Sequence, residues 1–289
     1  MPLIQPIIRP PSEANSLLLQ VTVGCSSNTC TFCGAYASKQ FGMMEFSDIA
    51  QDIEQAARYY PETRKVFLLD GDALAVSNEK LVPILRLINE SFPKLSRIAS
   101  YANGYNMTKR THEELKELRD NNLSLIYMGL ESGSQKVLDL CKKRATVQEM
   151  IKAVRVSDDA GIKSSIIVLL GLGGKKYSEI HTKETAAALN KMQPRYLSFL
   201  SLMLIEGTPL CKQAEAGELE ELDSEGFLKE AYDIVRGLDL NKTIFRSNHA
   251  SNYLPLEGRL PKDKQKLLDA FKAGINGNTS LRSEISRGL

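Results

Sequence analysis

Three cysteines stand close together near the start of this 289-residue sequence. Cys25, Cys30 and Cys33 lie within the glycine-flanked stretch GCSSNTCTFCG, residues 24–34, which we name the cysteine loop. Thiolates are soft ligands that favour zinc, copper(I) and iron–sulfur clusters. The apolar stretch from Leu17 to Val23 comes directly before the loop and predicts a buried strand. The sequence therefore predicts three thiols in a loop at the carboxyl end of a strand.

The number of thiols narrows the kind of metal site. A structural zinc ion takes four protein ligands, commonly from two C-x-x-C pairs, and this sequence has no second pair because Cys141 and Cys211 are distant. A [4Fe–4S] cluster normally takes four cysteines. Three cysteines in one loop leave one iron open to a substrate or cofactor. A zinc site completed by a remote residue and three inert buried thiols remain the alternatives.

Composition excludes some classes of protein and favours others. The net charge is +2 with 25% charged residues, which gives no charge-based indication of binding to nucleic acid or membrane. No run of roughly 18 apolar residues occurs, so no transmembrane helix is expected. The proline-broken start, MPLIQPIIRPPSEAN, lacks the apolar core of a signal peptide. We therefore expect a cytoplasmic protein, and the clustered cysteines argue against a disulfide scaffold.

Strand and helix patterns alternate along the chain. The predicted strands are Leu17–Val23, Val66–Leu69, Leu95–Tyr101, Leu125–Leu130, Ser164–Leu170 and Tyr196–Leu204. The predicted helices cover residues 48–60 (capped by Ser47), 78–92 (capped by Asn78), 109–121, 135–140, 146–160, 178–192, 227–238 and 262–275. This alternation is typical of a parallel sheet, either barrel-like or doubly wound. Polar or glycine-rich residues follow the predicted strands, where such folds place their active sites.

Two stretches resemble one known family. With Phe32 before Cys33, the cysteine loop resembles the cluster loop of the radical S-adenosylmethionine (radical SAM) enzymes, C-x3-C-x-Φ-C with Φ aromatic, although the first gap here has four residues. The stretch GLESGSQKVLDLCKKRATVQE resembles a segment shared by oxygen-independent coproporphyrinogen oxidases, elongator catalytic subunits and methylthiotransferases. The resemblance covers roughly residues 16–210. It implies an α/β fold, a partial (β/α)6 TIM-like barrel over residues 16–210, between an arm at 1–15 and a helical and loop extension at 211–289.

The resemblance also implies a set of ligands and cofactor contacts. Cys25, Cys30 and Cys33 would bind three irons of a [4Fe–4S] cluster, and S-adenosylmethionine would bind the fourth. The implied cofactor-binding residues are Phe32 in the loop, Asp70, Gly71 and Asp72 near the cofactor's amino group, Glu131 and Ser132 near its ribose or methionine part, Arg144 near its carboxylate, and Val168 and Leu172 beside adenine. The alternatives are a simple turn at 70–72, a helix cap at Glu131, a surface charge at Arg144 and an ordinary buried strand at Val168.

The activity implied by the resemblance is radical chemistry. Reduction of the cofactor by the cluster would yield methionine and a 5′-deoxyadenosyl radical, which would abstract hydrogen from a small-molecule or macromolecular substrate. An external one-electron reductant would be a partner. The polar run at residues 245–258 would close the barrel mouth, with His249 as a candidate proton donor or acceptor; a loop that satisfies its own backbone is the alternative.

Two other functional classes remain open. One is an iron–sulfur electron carrier or sensor that does not cleave S-adenosylmethionine, and the other is a zinc-stabilised α/β binding protein. His112 and His181 fall in predicted helices, where we expect surface residues rather than ligands. Cys141 and Cys211 are expected to be lone buried thiols rather than substrate thiols or auxiliary ligands.

Overall fold

The computed structural model of this chain describes residues 3–288. The residues fall into two compact units, each of which is described by itself. Unit 1 comprises the residues up to Asn28, Ala35–Met128 and Arg155–Ser164. Unit 2 comprises Thr29–Gly34, Gly129–Val154 and the residues from Ser165 onward.

The elements of unit 1 are β1 (Leu17–Gln20), β2 (Thr22–Val23), β3 (Gly42–Met43), α1 (Phe46–Tyr59), β4 (Lys65–Leu69), α2 (Asn78–Ser91), β5 (Arg97–Tyr101), α3 (Gly104–Met107), α4 (His112–Asp120) and the larger part of β6 (Leu123–Glu131). Four of the strands form a parallel sheet in the order β1–β4–β5–β6. In register, Leu19 lies beside Leu68 and Phe67 beside Ala99. These apolar side chains are almost fully buried, which places the core of unit 1 on this sheet.

Helix ends in unit 1 correct two of the predicted caps. α1 begins at Phe46, one residue before the predicted cap Ser47. α2 begins at Asn78 itself, so Asn78 is the first helical residue and not the cap. The Asn78 amide instead donates to the backbone oxygen of Glu114 and to the carboxylate of Glu117. Its side chain therefore ties α2 to α4.

The elements of unit 2 are the end of β6, α5 (Gln135–Leu140), part of α6 (Val147–Asp159), most of β7 (Lys163–Leu170), α7 (Gly174–Met192), β8 (Tyr196–Ser201), α8 (Pro209–Glu215), α9 (Ser224–Gly237), β9 (Thr243–Arg246), β10 (Glu257–Leu260) and α10 (Lys264–Ile275). Within this unit β8 pairs in parallel with β7 and β9, and β10 pairs antiparallel with β9.

The sheet of unit 2 has two unlike faces. Phe199 and Phe245 lie on the buried face with ring centroids 4.9 Å apart, and Phe245 packs at 6.5 Å against Phe271 of α10. Ile167 and Leu169 of β7 project from the opposite face and are partly exposed. The strand residues therefore alternate between a face covered by helices and a face open to ligands or solvent.

The six predicted strands are all present among residues 3–288, in an α/β structure whose strands pair mostly in parallel. The first predicted strand is divided into β1 and β2, and β2 pairs antiparallel with β3. β9 and β10 were not predicted: they lie in the segment expected to be helical and loop-like, and they occupy both ends of the polar run at 245–258. The domain boundaries at residues 15/16 and 210/211 stay a prediction. Among residues 3–288, no helix combines the length and apolar character needed to cross a membrane.

Candidate functional site

The first part of the cysteine loop belongs to unit 1 and follows β2. Gly24 has a φ of +75°, in the left-handed region that glycine adopts without strain, so the chain turns sharply before Cys25. Cys25 is partly exposed. Its exposure leaves the thiol accessible to a metal centre.

Asp70 holds this turn from the end of β4. Its carboxylate is fully buried, and its Oδ2 accepts hydrogen bonds from the Gly24 N–H at 2.8 Å and from Gln20 Nε2 at 3.1 Å. Lys39 Nζ donates to the same oxygen at 3.0 Å and to the backbone oxygen of Ile4 at 2.8 Å. The Lys39 side chain is only 3% exposed, so its charge and that of Asp70 are buried as a pair. Asp70 therefore fixes the backbone of the cysteine loop rather than pointing toward a ligand.

Gly71 packs directly on Cys25. The Gly71 N–H donates to the Gly24 oxygen at 2.9 Å. A Cβ on Gly71 would lie 2.6 Å from the Cβ of Cys25 and 3.0 Å from its Sγ, which is closer than such atoms approach one another. Glycine is therefore required here by the approach of two chain segments.

Asp72 completes the contact. Ser26 Oγ and Asn106 Nδ2 each donate to Asp72 Oδ2 at 2.6 Å, and the Asn103 N–H donates to Oδ1 at 3.3 Å. Burial raises the pKa of Asp72 to about 6, and the hydrogen bonds from Ser26 and Asn106 oppose that rise. Both predicted carboxylates at this turn are thus engaged by the protein, and only the backbone of residues 70–72 remains for cofactor binding.

The second part of the cysteine loop, residues 29–34, belongs to unit 2. The Thr31 N–H donates to the Cys141 oxygen at 2.9 Å, and the Leu210 N–H donates to the Thr31 oxygen at 3.0 Å. Main-chain bonds to the ends of α5 and α8 thus fix the segment that carries Cys30 and Cys33. Both cysteines are partly exposed, as is Phe32. Burial raises the pKa of the Cys141 thiol to about 12, so this fourth cysteine stays protonated near neutral pH.

Glu131 ends β6 with a φ of +62°, an uncommon left-handed conformation for a residue with a side chain. Its Oε1 lies 3.4 Å from Lys143 Nζ, and both side chains are mostly buried. A Cβ on Gly129 would lie 1.8 Å from the same Oε1. The carboxylate therefore folds back over Gly129, on a partly exposed side of the strand.

Ser132 and Gly133 pack against α7. Ser132 is fully buried, and its Oγ lies 2.9 Å from His181 Nδ1. The Gly133 N–H donates to Thr185 Oγ1 at 2.8 Å, and a Cβ on Gly133 would lie 2.4 Å from the backbone of both Glu184 and Thr185. Any cofactor contact of Ser132 would therefore use its backbone.

The expectation that His181 is a surface residue is wrong. His181 is fully buried, and its Nε2 lies 3.7 Å from Oε2 of the buried Glu230 on α9. Burial lowers the pKa of His181 to about 4. Burial raises the pKa of Glu230 to about 7, against hydrogen bonds from the Gly171 N–H and Ser178. Between pH 4 and 7 both groups are therefore neutral, and their approach is not an ion pair.

The three remaining residues predicted to contact the cofactor differ in their exposure to solvent. Arg144 is exposed. Val168 and Leu172 are buried at 0% and 2% exposure, so they offer little surface to an adenine ring. The partly exposed face of β7 carries Ile167 and Leu169 instead.

His249 organises its own loop. Its Nδ1 accepts the Ser251 N–H at 3.1 Å and lies 2.9 Å from Ser251 Oγ. Burial and the nearby Arg282 lower the pKa of His249, which favours the neutral ring. The neighbouring Asn252 ties this loop to β8, because its Nδ2 donates to the Phe199 oxygen at 2.7 Å. This geometry gives His249 a structural role and leaves its proposed proton transfer a prediction.

Several residues that shape the site were not predicted from the sequence. Lys39 had no local signal, because its partner Asp70 is distant in the chain. His181 and Glu230 did have one: each lies on the buried face of its helix, at helical spacing from Thr185 and Phe227 respectively. Reading those faces as apolar stripes would have marked both polar residues as buried.

Comparison with known proteins adds independent findings. The sequence model of the Radical SAM superfamily matches residues 19–187. An uncharacterized protein of Methanocaldococcus jannaschii is 28% identical over 159 residues, which cover 55% of this chain and 45% of that protein. The chain spans less than half the length of the curated relatives it matches.

Two solved structures test the predicted fold class. The Escherichia coli coproporphyrinogen III oxidase, whose structure is described as that of a radical SAM enzyme, aligns with a TM-score of 0.56 at 14% identity over 76% of this chain and 50% of its own. Elp3 of Methanocaldococcus infernus, lacking its N-terminus, aligns with a TM-score of 0.55 at 16% identity over 92% of this chain and 64% of its own. Both likenesses confirm the predicted TIM-like partial-barrel fold class.

Proposed function

The chain belongs to the Radical SAM superfamily, and from this premise we propose that it cleaves S-adenosylmethionine reductively with one [4Fe–4S] cluster bound by Cys25, Cys30 and Cys33. The family membership and the likeness to coproporphyrinogen III oxidase, which is described as a radical SAM enzyme, support an enzymatic activity. The observation that carries the proposal is that the family match, residues 19–187, contains all three cysteines. It also contains Glu131 and Arg144, but not His249.

The residues present fit such a cluster. Three thiolates leave one iron open, and the bare Cα of Gly71 beside Cys25 leaves the thiol uncovered. Within residues 3–288, no three His, Cys, Asp or Glu side chains converge as a cage for a single metal ion. A cluster would not need such a cage, because each cysteine would bind a different iron.

When bound, the cluster supplies the electron that splits S-adenosylmethionine into methionine and a 5′-deoxyadenosyl radical. The chain's own residues orient the cofactor. The backbone oxygens of residues 70–72 would accept its ammonium, and Glu131 would accept hydrogen bonds from its ribose hydroxyls. Arg144 would offer a two-pronged match to its carboxylate. The partly exposed Ile167 and Leu169 would supply an apolar surface that keeps water away from the reactive centre.

The remaining partners follow from the same chemistry. Hydrogen abstraction requires a substrate, either a small molecule or a macromolecule, and the cluster requires an external one-electron reductant. The substrate would bind against the partly exposed face of the unit 2 sheet.

The experiment is anaerobic reconstitution. The protein is loaded with iron and sulfide, reduced and mixed with S-adenosylmethionine, and 5′-deoxyadenosine is measured by chromatography. The Cys30→Ala variant removes one proposed ligand, and Cys211→Ala is the matched control because it removes a partly exposed thiol outside the cysteine loop. We expect product from the wild type and from Cys211→Ala, and none from Cys30→Ala.

Two other outcomes would overturn the proposal. A brown protein that holds iron but does not cleave the cofactor with any reductant, either alone or with candidate substrates, indicates an electron carrier or sensor. A colourless protein that retains one zinc ion per chain indicates a zinc-stabilised binding protein.

A further inference from the structure

We propose that Asp70, Gly71 and Asp72 act as positioning residues for Cys25, and that buried Lys39 locks them in place. This inference rests on the proposed role of Cys25 as a ligand of the cluster. In this inference the two carboxylates of the turn after β4 bind the cysteine loop and do not bind a ligand.

The contacts run residue by residue between two chain segments of unit 1, residues 24–26 and residues 70–72. Asp70 accepts the N–H of Gly24 at 2.8 Å. Gly71 packs its bare Cα on Cys25. Asp72 accepts the hydroxyl of Ser26 at 2.6 Å. Three consecutive residues thus hold three consecutive residues, with Cys25 at the centre.

Lys39 makes the first of these contacts difficult to lose. Asp70 Oδ2 accepts three donors, from Gln20, Gly24 and Lys39. Lys39 also donates to the backbone oxygen of Ile4, so two hydrogen-bond acceptors hold its ammonium in place. A buried charge that loses its partner is strongly destabilising. Any movement of the Asp70 carboxylate away from Gly24 would therefore also disturb its pairing with Lys39.

A turn that merely joined β4 to the next element would not need these features. Asp70 adopts a φ of +64°, which costs energy for a residue with a side chain. Strain of this kind persists where the surrounding structure imposes it. Here the imposed conformation directs one carboxylate to Gly24 and brings Gly71 onto Cys25.

The test measures Cys25 in the metal-free protein. Gly71→Ala introduces a Cβ that would lie 2.6 Å from the Cβ of Cys25. Gly42→Ala is the matched control, because a Cβ on Gly42 meets nothing within 4 Å and Gly42 is in the same unit. The rate at which iodoacetamide alkylates Cys25 is measured by mass spectrometry, with Cys211 of the same molecule as the internal reference.

We expect Gly71→Ala to raise the Cys25 rate several-fold relative to Cys211, and Gly42→Ala to leave it unchanged. Ser26→Ala tests the third contact without adding an atom and should raise the rate less, and Ser26→Thr should restore it. After reconstitution, iron per chain should follow the same order, while the thermal midpoints of Ser26→Ala and Ser26→Thr agree.

Wild-type rates and iron contents in both Gly71→Ala and Ser26→Ala would overturn the inference. If Gly71→Ala does not fold, Ser26→Ala and its threonine rescue decide alone. If the wild type takes up no iron, the proposed function fails, but the alkylation rates of the metal-free variants still decide whether the turn positions Cys25.

Discussion

Asp70 in unit 1 and Glu230 in unit 2 perform the same local task in different ways. Each is a buried carboxylate that accepts the N–H of a glycine just after a strand, Gly24 at 2.8 Å and Gly171 at 2.6 Å. Asp70 is paired with a buried ammonium, that of Lys39. Glu230 instead faces the imidazole of His181, and its Oε1 and His181 Nε2 have no hydrogen-bond partner within residues 3–288.

The two buried carboxylates are therefore stabilised in different ways. Asp70 is held by an opposite charge, so its stability depends on the partner staying in place. Glu230 is held by a proton, because burial raises its pKa to about 7. The first arrangement should be sensitive to mutation, and the second to pH.

The largest expected effect comes from breaking the charged pair. Asp70→Asn keeps the size of the side chain and tolerates the left-handed conformation, but it leaves Lys39 buried without its partner. We expect a loss of about 3–5 kcal/mol in the free energy of unfolding, measured with urea at pH 7. The double variant Asp70→Asn with Lys39→Met should recover much of the loss. A double variant no more stable than the single one would show that the loss comes from something other than the unpaired ammonium.

Replacing Glu230 with glutamine should remove one source of the pH dependence of the free energy of unfolding. The folded-state pKa of Glu230 is raised from 4.5 to about 7, so its contribution is most favourable below pH 4.5 and is lost as the pH rises through 7. The stability of the wild type relative to Glu230→Gln should therefore fall by on the order of 3 kcal/mol from pH 4.5 to 8. Urea unfolding at half-unit intervals of pH measures this, and a difference that does not change with pH contradicts it.

The contribution of His181 to stability should change with pH in the opposite direction. Its folded-state pKa is lowered from 6.5 to about 4, so the unfolded chain takes up the proton first on acidification. The stability of the wild type relative to His181→Asn should therefore fall by about 2 kcal/mol from pH 7 to pH 5. Asparagine retains a polar group near the Ser132 hydroxyl. A difference that rises on acidification would mean that the folded protein holds this ring protonated.

The smallest effect is expected at Ser132, the residue after β6 that contacts His181. Ser132→Ala removes the hydroxyl that contacts His181 Nδ1 and accepts the Ser134 N–H at 3.0 Å. We expect a loss of roughly 1–3 kcal/mol, because buried polar groups then lack partners. Ser198→Ala, on the partly exposed face of β8, is the control and should change stability little. Equal losses in the two variants would contradict a special role for the Ser132 hydroxyl.

Features encoded within one continuous stretch of sequence could be predicted, whereas contacts between distant stretches could not. The cysteine loop and the six strands are continuous stretches, so their spacing and apolar runs were visible directly. β9 and β10 were missed because they have only four residues each, and EGRL of β10 has no apolar alternation. The Lys39–Asp70 pair could not be predicted, since the two residues meet only through the folding of unit 1. The buried His181 was misjudged because helix membership was considered without the helix face.

The close approach of Gly133 to the main chain of α7 limits which second mutations could compensate for a substitution at this position. A Cβ there would meet main-chain atoms of Glu184 and Thr185 rather than the ends of side chains. No second-site change of a side chain on α7 could therefore make room for it, and a suppressor screen started from Gly133→Ala should return only revertants. Gly237 differs, because a Cβ there would meet only the Cβ of Ala186 at 2.8 Å. A folding defect of Gly237→Ala should be suppressed by Ala186→Gly. Substitutions at these two positions can therefore compensate for each other, whereas no such partner exists for Gly133 on α7.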